Sequence, residues 1–131
     1  ETHWQMADAK VEGEVEAAIE RAQQAGVAQM VTVGAIGTIE NDRLTVEIAE
    51  GHQNVFAAVG VHPHDAKDCT ADRIAELREL AASKKIVAIG ESGLDFHYMH
   101  SPPEAQEASL RRHLELAAEL KLPIVIHCRD A

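Results

Sequence analysis

Short runs of apolar residues alternate along this chain with segments whose apolar residues recur every three to four positions. Continuous apolar runs are typical of strands buried on both faces, and the longer spacing is typical of amphipathic helices. The runs lie at residues 30–33, 55–61, 86–90 and 123–126, and residues 1–3 resemble the end of an earlier strand. This alternation predicts an α/β fold with a parallel sheet covered by helices.

Four helices are predicted between these strands. We expect Asn41 or Asp42 to cap the second helix, Thr70 the third and Ser101 the fourth, since their side chains can accept from free backbone N–H groups. The predicted buried faces, in chain order, are Val11, Val15, Ala18, Ile19 and Ala22; Leu44, Ile48 and Ala49; Ile74, Leu77, Leu80 and Ala81; and Leu110, Leu114 and Ala117.

Polar residues that bind metals or move protons follow three of these runs, namely His62, Glu91 and His127, and a fourth, His3, ends the segment at residues 1–3. In a (β/α)8 barrel the carboxyl ends of all strands open on one face, where the active site lies. An open doubly wound sheet instead binds ligands at a single switch point. We therefore expect a TIM-type (β/α)8 barrel, represented here by about its first five strands and four helices. Residues 1–131 are expected to form a single domain, the N-terminal part of that barrel.

Composition limits the classes of function that the chain can have. The formal net charge of −10 counts against a basic nucleic-acid-binding face, although bound cations would let an acidic site accept phosphate. Cys69 and Cys128 give no disulfide framework, which favours a reducing compartment and predicts a cytoplasmic protein. No apolar run is long enough to cross a membrane, so no membrane partner is expected.

Three motifs arrive in order: Gly-Val-His-Pro-His-Asp-Ala at residues 60–66, Ile-Gly-Glu-Ser-Gly-Leu-Asp at 89–95, and Ile-His-Cys-Arg-Asp-Ala at 126–131. Together they resemble the TatD family of metal-dependent deoxyribonucleases, within the amidohydrolase-like group of barrels. The resemblance implies a barrel that holds one or two divalent cations (Mg, Mn or Zn). It also implies hydrolysis of phosphodiester bonds, typically exonucleolytic, with single-stranded DNA or another nucleic acid as substrate.

The resemblance also assigns roles. Glu91 matches the metal-bridging carboxylate of the family and His127 matches a metal-binding histidine. His3 matches the first histidine of an opening Asp-x-His-x-His motif, in which Gln5 stands here at the position of the second histidine. His62 is expected to be catalytic, contacting the scissile phosphate or orienting water.

The neighbouring residues allow more than one interpretation. His64 is expected to support its loop, and Asp95 either fixes a histidine ligand or caps a turn. The aromatic segment 96–98 either stacks on an unpaired base or shields the site from solvent. His113 is predicted on a helix surface, and Cys128 is predicted to be buried and inert.

Three functional hypotheses remain open at this point. The first is metal-dependent phosphodiester hydrolysis, and the second is a related barrel hydrolase that acts on an amide or ester. The third is a barrel fragment without turnover, because a complete barrel needs roughly 250 residues. The resemblance implies a further metal-binding histidine and a late aspartate beyond the last motif. Unpaired strand edges in such a fragment would favour self-association.

Overall fold

The computed structural model describes the strand Thr2–His3 and residues 9–131, with side chains from residue 13 onward. The strands are β1 (Thr2–His3), β2 (Met30–Val33), β3 (Val55–Val59), β4 (Ile86–Asp95) and β5 (Ile124–Arg129). The helices are α1 (Ala9–Gln24), α2 (Ile39–Glu50), α3 (Ala71–Leu80) and α4 (Pro103–Leu120), and a short 3₁₀ helix covers Pro63–Asp68. Strands and helices therefore alternate as the sequence predicts.

The sheet runs in the order β1-β2-β3-β4-β5, and each strand is parallel to its neighbour. Sequential order without a reversal is the topology of a barrel, whereas a doubly wound sheet reverses its order at a switch point. The sheet is also curled, as part of a barrel would be. The predicted fold class is confirmed.

Two apolar clusters lie on opposite faces of this sheet. Val55 and Val59 of β3 belong to the larger cluster, which also contains residues of all four helices, among them Ile19, Leu77 and Leu116. A smaller cluster is built mainly of short side chains, Val33, Ala35, Ala58 and Ala88. Successive side chains of a strand point to opposite faces, so the two clusters follow directly from the continuous apolar runs.

Helix α2 begins earlier than the sequence suggested. Its N-cap is Thr38, so the expected caps Asn41 and Asp42 lie inside the helix. Asp42 is fully buried and its carboxylate accepts from Arg73 at 2.8 Å, which explains why it does not act as a cap. The cap predicted for α3 is confirmed, since the Thr70 hydroxyl accepts from the Arg73 N–H.

Helix α4 differs from its prediction in both start and orientation. Pro102 is the N-cap, because the Ser101 hydroxyl donates to the His64 carbonyl and accepts from the Lys67 N–H. Leu114, expected inside, is 44% exposed. The residues that α4 buries are Gln106, Ser109, His113, Leu116 and Ala117. The prediction that His113 lies on the surface is therefore wrong.

Strands β4 and β5 extend beyond their apolar runs. Glu91 lies within β4 rather than after it, and Gly93 is paired with His127 of β5. Gly93 has φ +149°, and a Cβ added there would lie 2.0 Å from the His127 carbonyl oxygen. A glycine is thus required where the two strands approach each other. Within the described residues, none of the helices is long and apolar enough to span a membrane.

Candidate metal centre

The carboxyl half of the sheet brings together three of the predicted site residues. His62 follows β3, Glu91 lies in β4 and His127 lies in β5, and each offers a ligand atom within 4.8 Å of the others. Oxygen and imidazole nitrogen donors of this kind suit several divalent cations. His3 ends β1, which pairs with β2 in the same sheet, but its side chain lies outside the described residues, as do Trp4 and Gln5.

Asp95 is a buried carboxylate next to this cluster, and it accepts hydrogen bonds from several neighbouring residues. It is 1% exposed, and its Oδ2 accepts from His127 Nε2 at 2.9 Å and from His64 Nε2 at 3.2 Å. Its Oδ1 accepts from the backbone N–H groups of His97 and Tyr98 at 3.1 and 3.0 Å. Burial alone would raise the pKa of Asp95, but the Tyr98 N–H, the two histidine rings and the His97 N–H together hold it below its usual range.

The backbone beside Asp95 is fixed as firmly as its side chain. Gln106 is fully buried, and its amide accepts from the Asp95 N–H at 2.7 Å and donates to the Asp95 carbonyl at 3.0 Å. The same amide donates to the Ser101 carbonyl at 2.8 Å, which closes the loop between β4 and α4. The position of the Asp95 carboxylate is therefore set by α4 as well as by β4.

The bond from Asp95 determines which nitrogen of His127 is free. Because Nε2 carries the proton that Asp95 accepts, Nδ1 of a neutral ring has only a lone pair. That nitrogen lies 3.2 Å from Oε1 of Glu91, another acceptor. Two acceptors this close require a positive charge between them, from a proton or a metal cation.

A metal cation fits this contact. Two ligand atoms that each lie about 2.1 Å from one cation, at tetrahedral or octahedral angles, are roughly 3.0–3.4 Å apart. The separation between His127 Nδ1 and Glu91 Oε1 falls in that interval. Asp95 would then hold the ligating ring by its other nitrogen, the arrangement common around histidine ligands.

His62 is placed differently. Its Nδ1 accepts from the His64 N–H at 3.2 Å, and its ring packs 4.8 Å from that of His127. Burial, together with the neighbouring His64, lowers the pKa of His62 to about 4, so the ring is neutral at pH 7. Because Nδ1 accepts from the His64 N–H, the proton of the neutral ring sits on Nε2, and this nitrogen can act as a hydrogen-bond donor at the cluster.

The turn that carries His62 is held by buried side chains that the sequence did not reveal. The Gly60 N–H donates to Asp42 Oδ1 at 3.1 Å, and the Val61 N–H donates to His113 Nε2 at 2.9 Å. The His62 N–H donates to the Ala35 carbonyl at 2.9 Å. Three successive N–H groups are thus fixed from three different segments. No local signal marks such partners, because they lie far away in the chain.

Two further expectations have outcomes here. Besides its bond to Asp95, His64 accepts from the Ser101 hydroxyl through its carbonyl at 2.8 Å, which fits the expected supporting role. Cys128 is exposed, so the prediction that it is buried is wrong. It lies on the same side of β5 as Ile126, which is 55% exposed.

Comparison with known proteins agrees with this geometry. The family model described as TatD related DNase matches residues 1–131. The chain belongs to this family. The resemblance stated from the three motifs is thereby confirmed.

Individual proteins of this family also match the chain. The "Uncharacterized metal-dependent hydrolase YabD" of Bacillus subtilis is 40% identical over 135 residues, covering 100% of this chain and 51% of that protein. The "3'-5' ssDNA/RNA exonuclease TatD" of Cronobacter sakazakii is 42% identical over 113 residues, covering 86% and 42%. The crystal structure of YJJV, a TatD homolog from Escherichia coli K12, superimposes with a TM-score of 0.81 at 31% identity, covering 99% and 50%. The chain thus spans about half the length of the family members that it matches.

Proposed function

We propose that this chain provides part of the metal centre of a TatD-type hydrolase that cleaves phosphodiester bonds of DNA with metal-activated water. The observation that carries the proposal is the 3.2 Å contact between His127 Nδ1 and Glu91 Oε1, a nitrogen and a carboxylate oxygen at a separation suited to one shared cation. The names of the relatives support a nucleic-acid substrate rather than an amide or ester.

In this proposal Glu91 and His127 are metal ligands, and the family resemblance adds His3. A bound divalent cation would supply a water of lowered pKa and neutralise charge on the leaving oxygen. One or two ions of Mg, Mn or Zn are all compatible with a mixed carboxylate and imidazole set. The proposed reaction thus requires a divalent cation, but these ligands do not determine which metal it is.

In this proposal His62 acts as a hydrogen-bond donor to the substrate or to water. Its Nε2–H can donate to an oxygen of the scissile phosphate or hold the attacking water, while the His64 N–H keeps the ring from rotating. A neutral donor also avoids placing a second positive charge beside the cation. We therefore retain His62 as the catalytic residue of this half of the site. The cytoplasmic location stays a prediction based on the cysteine content alone.

Calorimetric titration of Mn²⁺ into the purified chain tests the metal site. We expect saturable binding by the parent and none by Glu91→Gln, which removes the charge but keeps the size of the side chain. Glu107→Gln, an exposed position on α4, is the matched control and should bind as the parent does. Equal binding by Glu91→Gln and the parent, with circular dichroism confirming that both are folded, would contradict the proposed site.

Cleavage of a 3'-labelled single-stranded oligonucleotide in the presence of Mn²⁺ tests the reaction itself. If the residues of this chain suffice for turnover, the metal-loaded protein releases the labelled end and His62→Ala does not. The hypothesis of a fragment without turnover predicts metal binding by the 131-residue chain with no cleavage. The two assays together separate a preformed metal site from a complete catalytic site.

A further inference from the structure

An exposed aromatic surface lies directly beside the candidate metal centre. Its main member is Tyr98, whose side chain is 51% exposed in the loop between β4 and α4. The Arg129 guanidinium lies 4.7 Å from the centre of the Tyr98 ring. The His100 ring lies 5.8 Å from it at an interplanar angle of 13°. About half of the Tyr98 side chain is therefore open to solvent next to the site.

Tyr98 is tied to the centre by the carboxylate that orients His127. Asp95 accepts from the Tyr98 N–H through Oδ1 and from the His127 ring through Oδ2. The same buried side chain therefore fixes both the candidate ligand and the turn that presents Tyr98. This contact holds the backbone of Tyr98 in a defined position relative to the centre.

A single ring separates Tyr98 from His62. The His64 ring packs 5.7 Å from that of Tyr98 and 4.3 Å from that of His62. These two distances bring the Tyr98 ring within reach of a nucleotide whose phosphate lies at His62. A phosphate beside His62 would thus bring the adjoining base to the exposed Tyr98 ring.

We infer that Tyr98, flanked by Arg129, is the stacking surface for an unpaired base next to the scissile phosphate. The inference rests on the proposed function and adds to it a residue that would contact a base of the single-stranded substrate. Stacking on an aromatic ring is tolerant of base identity and contributes about ten- to a hundredfold in affinity per base. It also supplies binding that an acidic chain of net charge −10 cannot obtain from a basic face.

Fluorescence anisotropy without metal tests this inference by comparing two labelled oligonucleotides with the same phosphates: oligothymidylate and its abasic analogue. The parent should bind the oligothymidylate about tenfold or more tightly than the analogue. Tyr98→Ala should remove that difference, and Tyr98→Phe should keep it, because the ring rather than the hydroxyl stacks. Met99→Ala, the exposed neighbour in the same loop, is the matched control and should behave as the parent.

Three results would overturn the inference: equal affinity of the parent for both oligonucleotides, a preference that survives Tyr98→Ala, or a preference lost in Tyr98→Phe. The Mn²⁺ titration keeps this outcome separate from the proposed function. If Mn²⁺ binds through Glu91 but the parent does not distinguish the oligonucleotides, only the role of Tyr98 fails. If the base preference holds and Mn²⁺ binding does not need Glu91, only the metal site fails.

Discussion

At the scale of single residues, Asp95 decides how the candidate centre can work. Its carboxylate accepts from two imidazole rings and two backbone N–H groups. With these bonds formed, His127 has one ring nitrogen committed and the other directed at Glu91. The sequence left open whether Asp95 fixes a histidine or caps a turn, and the structure shows that it does both.

Replacing Asp95 by asparagine tests this arrangement. The amide offers one acceptor oxygen instead of two and carries no charge, so we expect Mn²⁺ affinity to fall about 10- to 100-fold in calorimetric titration. Asp68→Asn, at an exposed position, should leave the affinity unchanged. Parent-like affinity in Asp95→Asn would mean that the orientation of His127 does not depend on this bond.

His113 allows a prediction of pH dependence. Burial lowers the pKa of His113, whose Nδ1–H donates to the Ser109 carbonyl while Nε2 accepts from the Val61 N–H. The unfolded chain, with an ordinary pKa near 6.5, takes up this proton first on acidification, so stability falls as pH drops below about 6.5. At neutral pH, where both states leave His113 uncharged, its hydrogen bonds contribute in full.

Chemical denaturation of His113→Leu between pH 5 and 8 measures this effect. At pH 7 the variant should lose about 1–3 kcal/mol of unfolding free energy, because the Val61 N–H is left without its acceptor. The unfolding free energy of the variant should fall less steeply towards pH 5 than that of the parent. Leu116→Ala, a buried truncation on the same helix, should lower stability and keep the parental slope. Identical slopes in His113→Leu and the parent would contradict the assignment.

At the scale of elements, the order of strands and helices could be read from the apolar pattern, but their exact orientation could not. The buried face predicted for α4 differs from the observed one. Gln106 and His113 are buried because they hydrogen-bond β4 and the turn after β3. Polar residues that satisfy distant backbone groups carry no mark in a local hydrophobic pattern. The extension of β4 was missed for a similar reason, since its last residues are not a continuous apolar run.

The close approach of β4 and β5 at Gly93 gives a prediction about stability and metal binding. Gly93→Ala would place a Cβ against the backbone of His127 and strain a positive φ, so the two strands must separate locally. We expect lower stability and loss of Mn²⁺ binding, measured by thermal unfolding and calorimetry. Gly13→Ala in α1 meets no atom within 4 Å and should raise stability by about 1 kcal/mol. A Gly93→Ala protein that binds Mn²⁺ normally would show that the close approach is not needed.

At the scale of the whole molecule, His62, Glu91 and His127, which follow separate apolar runs in the sequence, lie together in the structure. Their proximity could be expected from sequence because parallel strands bring their carboxyl halves to one face. The supporting contacts of Asp42, Asp95 and His113 depend on long-range packing, which the sequence does not encode in any local spacing.

The exposed outer face of β5 leads to a prediction about assembly. Ile126 is 55% exposed on the last strand of the sheet, and exposed apolar strands of this kind promote association. We propose that the chain self-associates through this strand, so light scattering should show a mass that rises with concentration. Ile126→Lys should shift the protein towards the monomer, and Val27→Lys, also at an exposed apolar site, should not. A monodisperse monomer at all concentrations would contradict the proposal.

The central claim is that Nδ1 of His127 and the Glu91 carboxylate share a cation while Nε2 of His127 stays protonated on Asp95. Long-range ¹H–¹⁵N spectra of the histidine rings during a Zn²⁺ titration measure this directly. The account predicts that Zn²⁺ shifts the Nδ1 resonance of His127, leaves its Nε2 protonated, and has no such effect in Glu91→Gln. An unchanged Nδ1 resonance at saturating Zn²⁺, or metal bound at Nε2, would contradict it.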